Sequence, residues 1–431
     1  MRHIIRSVGL IASGVVWLGT LAFVSGQGVP SPSLLRSHPA ITYQRPTGND
    51  PVAQLDARLE RGEVRLQSEG PSGYLKSVLA ALDVSVTSQV LVFSKTSFQA
   101  PRINPHNPRA IYFTDTVAVG WVRGGEVLEF VAHDPRQGNV FYTLSQKDGA
   151  PRFQRNDSCV SCHTSDATLN VPGWFVGSVF PGEDGTTQYG PAYTTDHRSP
   201  FDIRWGGWYV TGTHDAERHM GNGVVHDAGN LAAMVTNDTV HVTSLDGRFD
   251  MNGYLSPHSD LVALLVLEHQ AHMGNLITRL GWEARIGKDA GRPLQVAAEE
   301  FVDYLLFLNE SPLPGPIAGT SGFAAAFAAK GPRDSRGRSL RELDLRTRLL
   351  KYPCSYMIYS EPFAALPDAA REAVYRRLWQ ILSGQESAPD YATLTDADRQ
   401  AVLEILRETK KDLPEYFFPD RPATPKDTSA E

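Results

Sequence analysis

Cys159-Val160-Ser161-Cys162-His163 sets two thiols three residues apart, with an imidazole directly after the second. This is the C-x-x-C-H pattern of covalent haem c attachment. Two thiols must reach two vinyl groups on one edge of the porphyrin, and the next residue must turn its imidazole to the iron. A short helical turn after Asp157-Ser158 is expected to do the positioning, because residues three apart share a face. Haem iron takes a neutral imidazole nitrogen, and an acceptor on the other nitrogen usually fixes the tautomer. The pattern occurs once. The expectation is therefore one haem c, attached at Cys159 and Cys162, with His163 as the proximal iron ligand.

Other readings of the same residues are weaker. A thioredoxin-like redox pair normally opens a helix in a βαβ setting, and no such pattern surrounds Cys159. Half of a zinc site would need a second pair, whereas the chain has only three cysteines and Cys354 is far away in sequence. Cys354, within Tyr352-Pro353-Cys354-Ser355-Tyr356, is expected to be a buried thiol.

The opposite side of the iron decides between carrier and catalyst. An electron carrier usually fills that position with Met or His, whereas a catalyst often leaves it open. Two stretches offer candidates. One is Trp205-Gly206-Gly207-Trp208 on to His214, His219 and Met220. The other is Glu268-His269 with His272 and Met273, on a helix that is otherwise apolar. His269 and His272 lie three apart and share a helix face. His214, His219, His269 and His272 are thus the distal candidates. Packing is the plainer role for each, and for Trp174, Trp205 and Trp208 as well. The tetrapeptide His-Met-Gly-Asn occurs twice, at 219–222 and at 272–275.

Around these residues the chain divides into segments. Residues 1–26 read as an export signal: Arg2, His3 and Arg6 precede an apolar run, and small residues offer a cleavage site before Gln27. The remainder is expected in the periplasm or outside the cell, and on a membrane only if that segment stays uncleaved. Residues 27–75 read as a linker with one short helix around 52–66. Residues 76–255 are strand-rich, with short β-branched and aromatic runs between Gly, Pro and Asp turns. Residues 256–413 read as five helices, starting at Ser256-Pro257, Leu294, Ser339, Pro367 and Thr395 and packed against the strands. Residues 414–431 read as a flexible tail. The fold class is α+β: strand-rich N-terminal half, haem-attachment segment in the middle, helical C-terminal half. A net charge of −7 over 431 residues gives no polybasic surface, so nucleic acid is excluded as a partner.

Several stretches resemble a bacterial family of large single-haem c-type cytochromes (cytochrome c domain-containing proteins). They are Ser94-Lys95-Thr96-Ser97 through Pro108 to Phe113, the attachment motif, Arg204-Trp205-Gly206-Gly207-Trp208-Tyr209, and Arg346 to Ser360. The resemblance covers roughly residues 75 to 415. It implies haem binding and electron transfer, and it carries roles over to Cys159, Cys162 and His163 only. The expected function is an exported haem c oxidoreductase, acting on a small-molecule substrate or a redox partner protein. A pure electron carrier is the alternative, and a haem-free module with a Cys159–Cys162 disulfide or metal site is the third. Chain length favours the first, since holding one carrier haem needs only a small domain.

Overall fold

A computed structural model describes residues 36–43, 48–147, 150–386 and 388–419. The expected export signal lies outside the described residues. The fold is α+β. A seven-stranded antiparallel sheet is built from β1 (Val90–Val92), β2 (Arg109–Phe113), β3 (Val117–Trp121), β4 (Val127–Asp134), β5 (Gly138–Ser145), β6 (Phe153–Arg155) and β9 (Trp208–Tyr209). Their order is β6-β5-β4-β3-β2-β1-β9. A two-stranded ribbon, β7 (Val176–Ser178) with β8 (Tyr193–Thr195), stands beside it.

Side chains alternate across the sheet, so each strand serves two cores. On one face Leu91, Tyr112, Val119, Trp121, Leu128 and Leu144 meet α1 (Pro51–Glu60) and α2 (Leu75–Ala81). The segment expected as a linker is therefore packed in part. Ile41 and Tyr43 are buried against Phe141 and Trp282, and Asp50 caps α1 through Val52 N and Ala53 N. On the other face, Val92, Ile111, Phe113 and Ala118 join the core of the helical half.

That half is organised by α3 (Leu261–Ile286), buried along almost its whole length. It starts four residues later than Ser256-Pro257 suggested. Asp260 is the effective cap: its carboxylate accepts from Val262 N and Ala263 N, and also from Thr320 N and Ser321 N. Among the described residues no helix is long and apolar enough to cross a membrane. Further helices are α4 (Leu294–Leu305), α5 (Phe323–Ala329), α6 (Asp368–Leu382) and α7 (Asp396–Thr409); Thr395 and Asp398 form the expected capping box of α7.

Two expectations fail locally. Residues 339–352 form no helix. The Asp344 carboxylate accepts from the backbone of Arg346, Thr347 and Arg348, Leu345 takes φ +56°, and Leu343 bridges to Leu350. A side chain that satisfies three successive N–H groups offers the backbone a turn in place of a helix. The expected tail is packed over its described part, 414–419: Phe417 is fully buried against Tyr375 and Trp379, and the rest of that segment lies outside the described residues.

Candidate functional site: a cleft between the sheet and the cysteine segment

The sequence from Asn156 to Val171 turns back across β5. The Asn156 side chain accepts from Ser158 N and starts a 3-10 turn, Asp157–Ser161. In such a turn, side chains three apart eclipse. Cys159 and Cys162 therefore project to the same side, with Cys162 N donating to Cys159 O at 3.2 Å. Val160 is 3% exposed and packs with Tyr43, Phe141 and Trp282, against which Cys159 also rests. That burial pins the turn and leaves Cys162 exposed and Cys159 half-buried.

His163 is held from three directions. Its backbone N–H donates to Cys159 O, and its ring lies 4.7 Å from the ring of Phe141. Its Nδ1 is 2.8 Å from Gly173 O. A carbonyl only accepts, so Nδ1 carries the proton and Nε2 keeps its lone pair. The Gly173 carbonyl is itself fixed by α3: Asn275 Oδ1 accepts from Trp174 N and Asn275 Nδ2 donates to Trp174 O. A Cβ at position 173 would stand 2.2 Å from Asn275 Oδ1, so glycine is required there. Burial holds the imidazole below the usual histidine range; the Gly173 carbonyl opposes this and the Arg109 charge adds to it. The ring is neutral at neutral pH.

Cys159, Cys162 and His163 all line one cleft of about 570 Å³. Small-molecule and cofactor sites run from roughly 300 to 1,000 Å³ and are mostly apolar. The sheet supplies the floor through Arg109, Ile111, Ala118, Gly120, Glu129, Val131, Phe141 and Thr143. Trp208 of β9 adds to the sheet side, Trp174, Phe175, Gly177 and Val179 form the facing wall, and Lys95 to Phe98 the rim. Two of the three tryptophans singled out in the sequence thus reach the cleft. Trp205 does not; it is fully buried against Phe201 and His219.

The four distal candidates lie elsewhere. His214 Nε2 and His219 Nε2 both donate to Val240 O at 3.1 Å, and their Nδ1 atoms accept from Ala216 N and Gly221 N. His269 bonds His197 through Nδ1 at 2.9 Å and Ser355 through Nε2 at 2.7 Å, stacked between Tyr304 and Phe307. His272 sits beside Arg198 and Asp196. None of the four lines the cleft, and neither do Met220 and Met273. Both ring nitrogens of His214, His219 and His269 already have partners within the fold. Their placement is that of hydrogen-bonded core residues. The repeated tetrapeptide has a shared use: Asn222 clamps Val210 N and O just as Asn275 clamps Trp174.

Sequence reasoning missed Arg109 and Glu129. They approach to 2.6 Å on the cleft floor. The contact is ionic without hydrogen-bond alignment: both Glu129 oxygens and Arg109 Nε are buried and unpartnered. A signal did exist, since Glu129 shares the parity of Val127 and Val131 in an apolar strand.

Cys159 and Cys162 are free. Burial and Glu129 push the Cys159 thiol up, and Arg109 pulls against them, whereas redox-active cysteines are held low. Among the described residues, no group of three or more His, Cys, Asp or Glu is arranged to hold a metal ion directly. Cys354 is fully buried, and burial raises its thiol too.

Comparison with family models, curated proteins and solved structures gave no match.

Proposed function

We propose that this chain is an exported single-haem c-type redox protein that holds its haem in the cleft and uses it as an oxidoreductase. One observation carries the reading. The two cysteines and the histidine of one C-x-x-C-H motif face a single apolar cleft, and the histidine's Nδ1 is tied to a carbonyl so that Nε2 is free. Cys159 and Cys162 would hold the porphyrin edge, and His163 Nε2 would take the iron. Phe141, Ile111, Val131, Trp174 and Trp208 would flank the ring with apolar surface. When bound, the haem supplies one-electron exchange and, where an axial position is open, ligand binding.

What the chain's own residues do follows from their places. Asn275 fixes the backbone at Trp174, Gly173 O holds the Nδ1 proton, and the neutral ring presents Nε2. Such an acceptor also raises the basicity of the ligating nitrogen. The oxidoreductase reading stands above the pure carrier because, among the described residues, His163 is the only His or Met in the cleft lining. Export rests on residues 1–26 and fits attachment outside the cytoplasm. The partner is a redox protein or a small substrate.

Protein made with a working haem-attachment system should give a c-type pyridine haemochrome at one haem per chain. The same spectrum without c-type haem would sink the reading, and would leave the free thiols to a haem-free binding module.

A further inference from the structure

The cleft floor carries one charged pair whose hydrogen-bonding capacity the fold leaves unused. Lys95, the other cation of the lining, is tied to Asp184 at 2.8 Å. Arg109 and Glu129 meet at 2.6 Å, yet among the described residues both carboxylate oxygens and Arg109 Nε lack a hydrogen-bond partner. Glu129 is 8% exposed. A structural Arg–carboxylate pair ordinarily aligns two parallel bonds. Room for the guanidinium is built in: a Cβ at Gly120 would stand 2.5 Å from Arg109 Nη2. Gly120 lies opposite Glu129 on β4 and opposite Ile111 on β2, so Arg109 crosses a bare strand to reach its partner.

The pair lines the same cleft as His163. The His163 ring rests on Phe141, which is paired with Val131. Glu129 is therefore the diagonal neighbour of Phe141, a separation of about 7–8 Å.

Building on the haem reading, we infer that Arg109 and Glu129 receive a small protic weak acid, H–X, in the cleft of the haem-loaded protein. Hydrogen cyanide and hydrogen peroxide belong to this class. The Glu129 carboxylate takes the proton as the H–X bond breaks. Both electrons of that bond stay on X, and the anion is left beside the Arg109 guanidinium. An acid without its proton suits the site less well, because Glu129 would repel it. A haem propionate beside Arg109 would meet the same like charge.

The test is stopped-flow binding of cyanide to the ferric, haem-loaded protein, with imidazole as the reference ligand because it binds without losing a proton. Glu129→Gln should slow cyanide association on the order of 10²-fold, the lower range of general-base effects, and leave imidazole association unchanged. The double variant Arg109→Met/Glu129→Leu removes the pair as a unit and should give the same selective loss if Glu129→Gln misfolds. Cyanide rates that stay at wild type, or that fall in step with imidazole, would overturn the inference. The haemochrome of each sample separates the two claims. Haem present with cyanide unaffected sinks the pair's role alone, whereas wild-type protein without c-type haem sinks both.

Discussion

His163→Ala protein should keep its haem on the two thioethers and lose the wild-type axial spectrum, and added imidazole should restore it. The expectation follows from how separately the three residues are held. The 3-10 turn and buried Val160 set Cys159 and Cys162, and none of those contacts passes through the imidazole. The ring is fixed by Gly173 O and Phe141 instead. Removing it leaves a gap between them that imidazole can enter. The readout is the optical spectrum of ferric and ferrous protein, before and after imidazole. An unchanged spectrum in the variant would mean that another residue holds the iron.

The second large effect concerns stability. Arg204 and Glu268 are 2% and 0% exposed and meet at 3.0 Å. Arg204 also donates to His197 O and Ser199 O, so it ties the 197–204 segment to the N-terminal half of α3. Removing one partner of a buried pair strands the other charge and costs about 3–5 kcal/mol. Burial already pushes the Glu268 carboxyl up to about 7, although Arg204 pulls it down. A carboxyl raised in the folded state binds its proton more tightly there than in the unfolded chain. Its contribution is therefore most favourable at low pH and is lost as pH rises through about 7. Arg204→Met removes the opposing cation and pushes the carboxyl further up. The urea midpoint of Arg204→Met should thus fall well below wild type at pH 8 and approach it at pH 5. A deficit equal at both pH values would show that lost packing, not the stranded carboxylate, is responsible.

Some of the site was legible in the sequence and some was not. Strands β1 to β5 could be read because β-branched and aromatic runs alternate between Gly, Pro and Asp turns, and the structure has them at those places. The short turn after Asp157-Ser158 was legible because a C-x-x-C spacing suits a helical turn, and the structure has a 3-10 turn there. The histidines of the two candidate stretches were conspicuous as polar residues in apolar surroundings, but what they bond comes from far away in sequence. His269 meets His197 and Ser355; His214 and His219 meet Val240. No local pattern announces such partners. The 339–352 segment was misread for a related reason: periodic leucines suggest a helix, while one carboxylate, Asp344, bends the backbone away from it. Gly173 and Gly120 matter only through Asn275 and Arg109, contacts that strand and helix pairing create.

The most direct measurement is an iron-edge anomalous map from crystals of the haem-loaded protein. The account predicts a single iron peak in the cleft, bonded to His163 Nε2, with Gly173 O still on Nδ1 and both sulfurs of Cys159 and Cys162 joined to one porphyrin edge. A peak at His269, His272, His214 or His219, or no iron in the cleft of protein that contains haem, would contradict it.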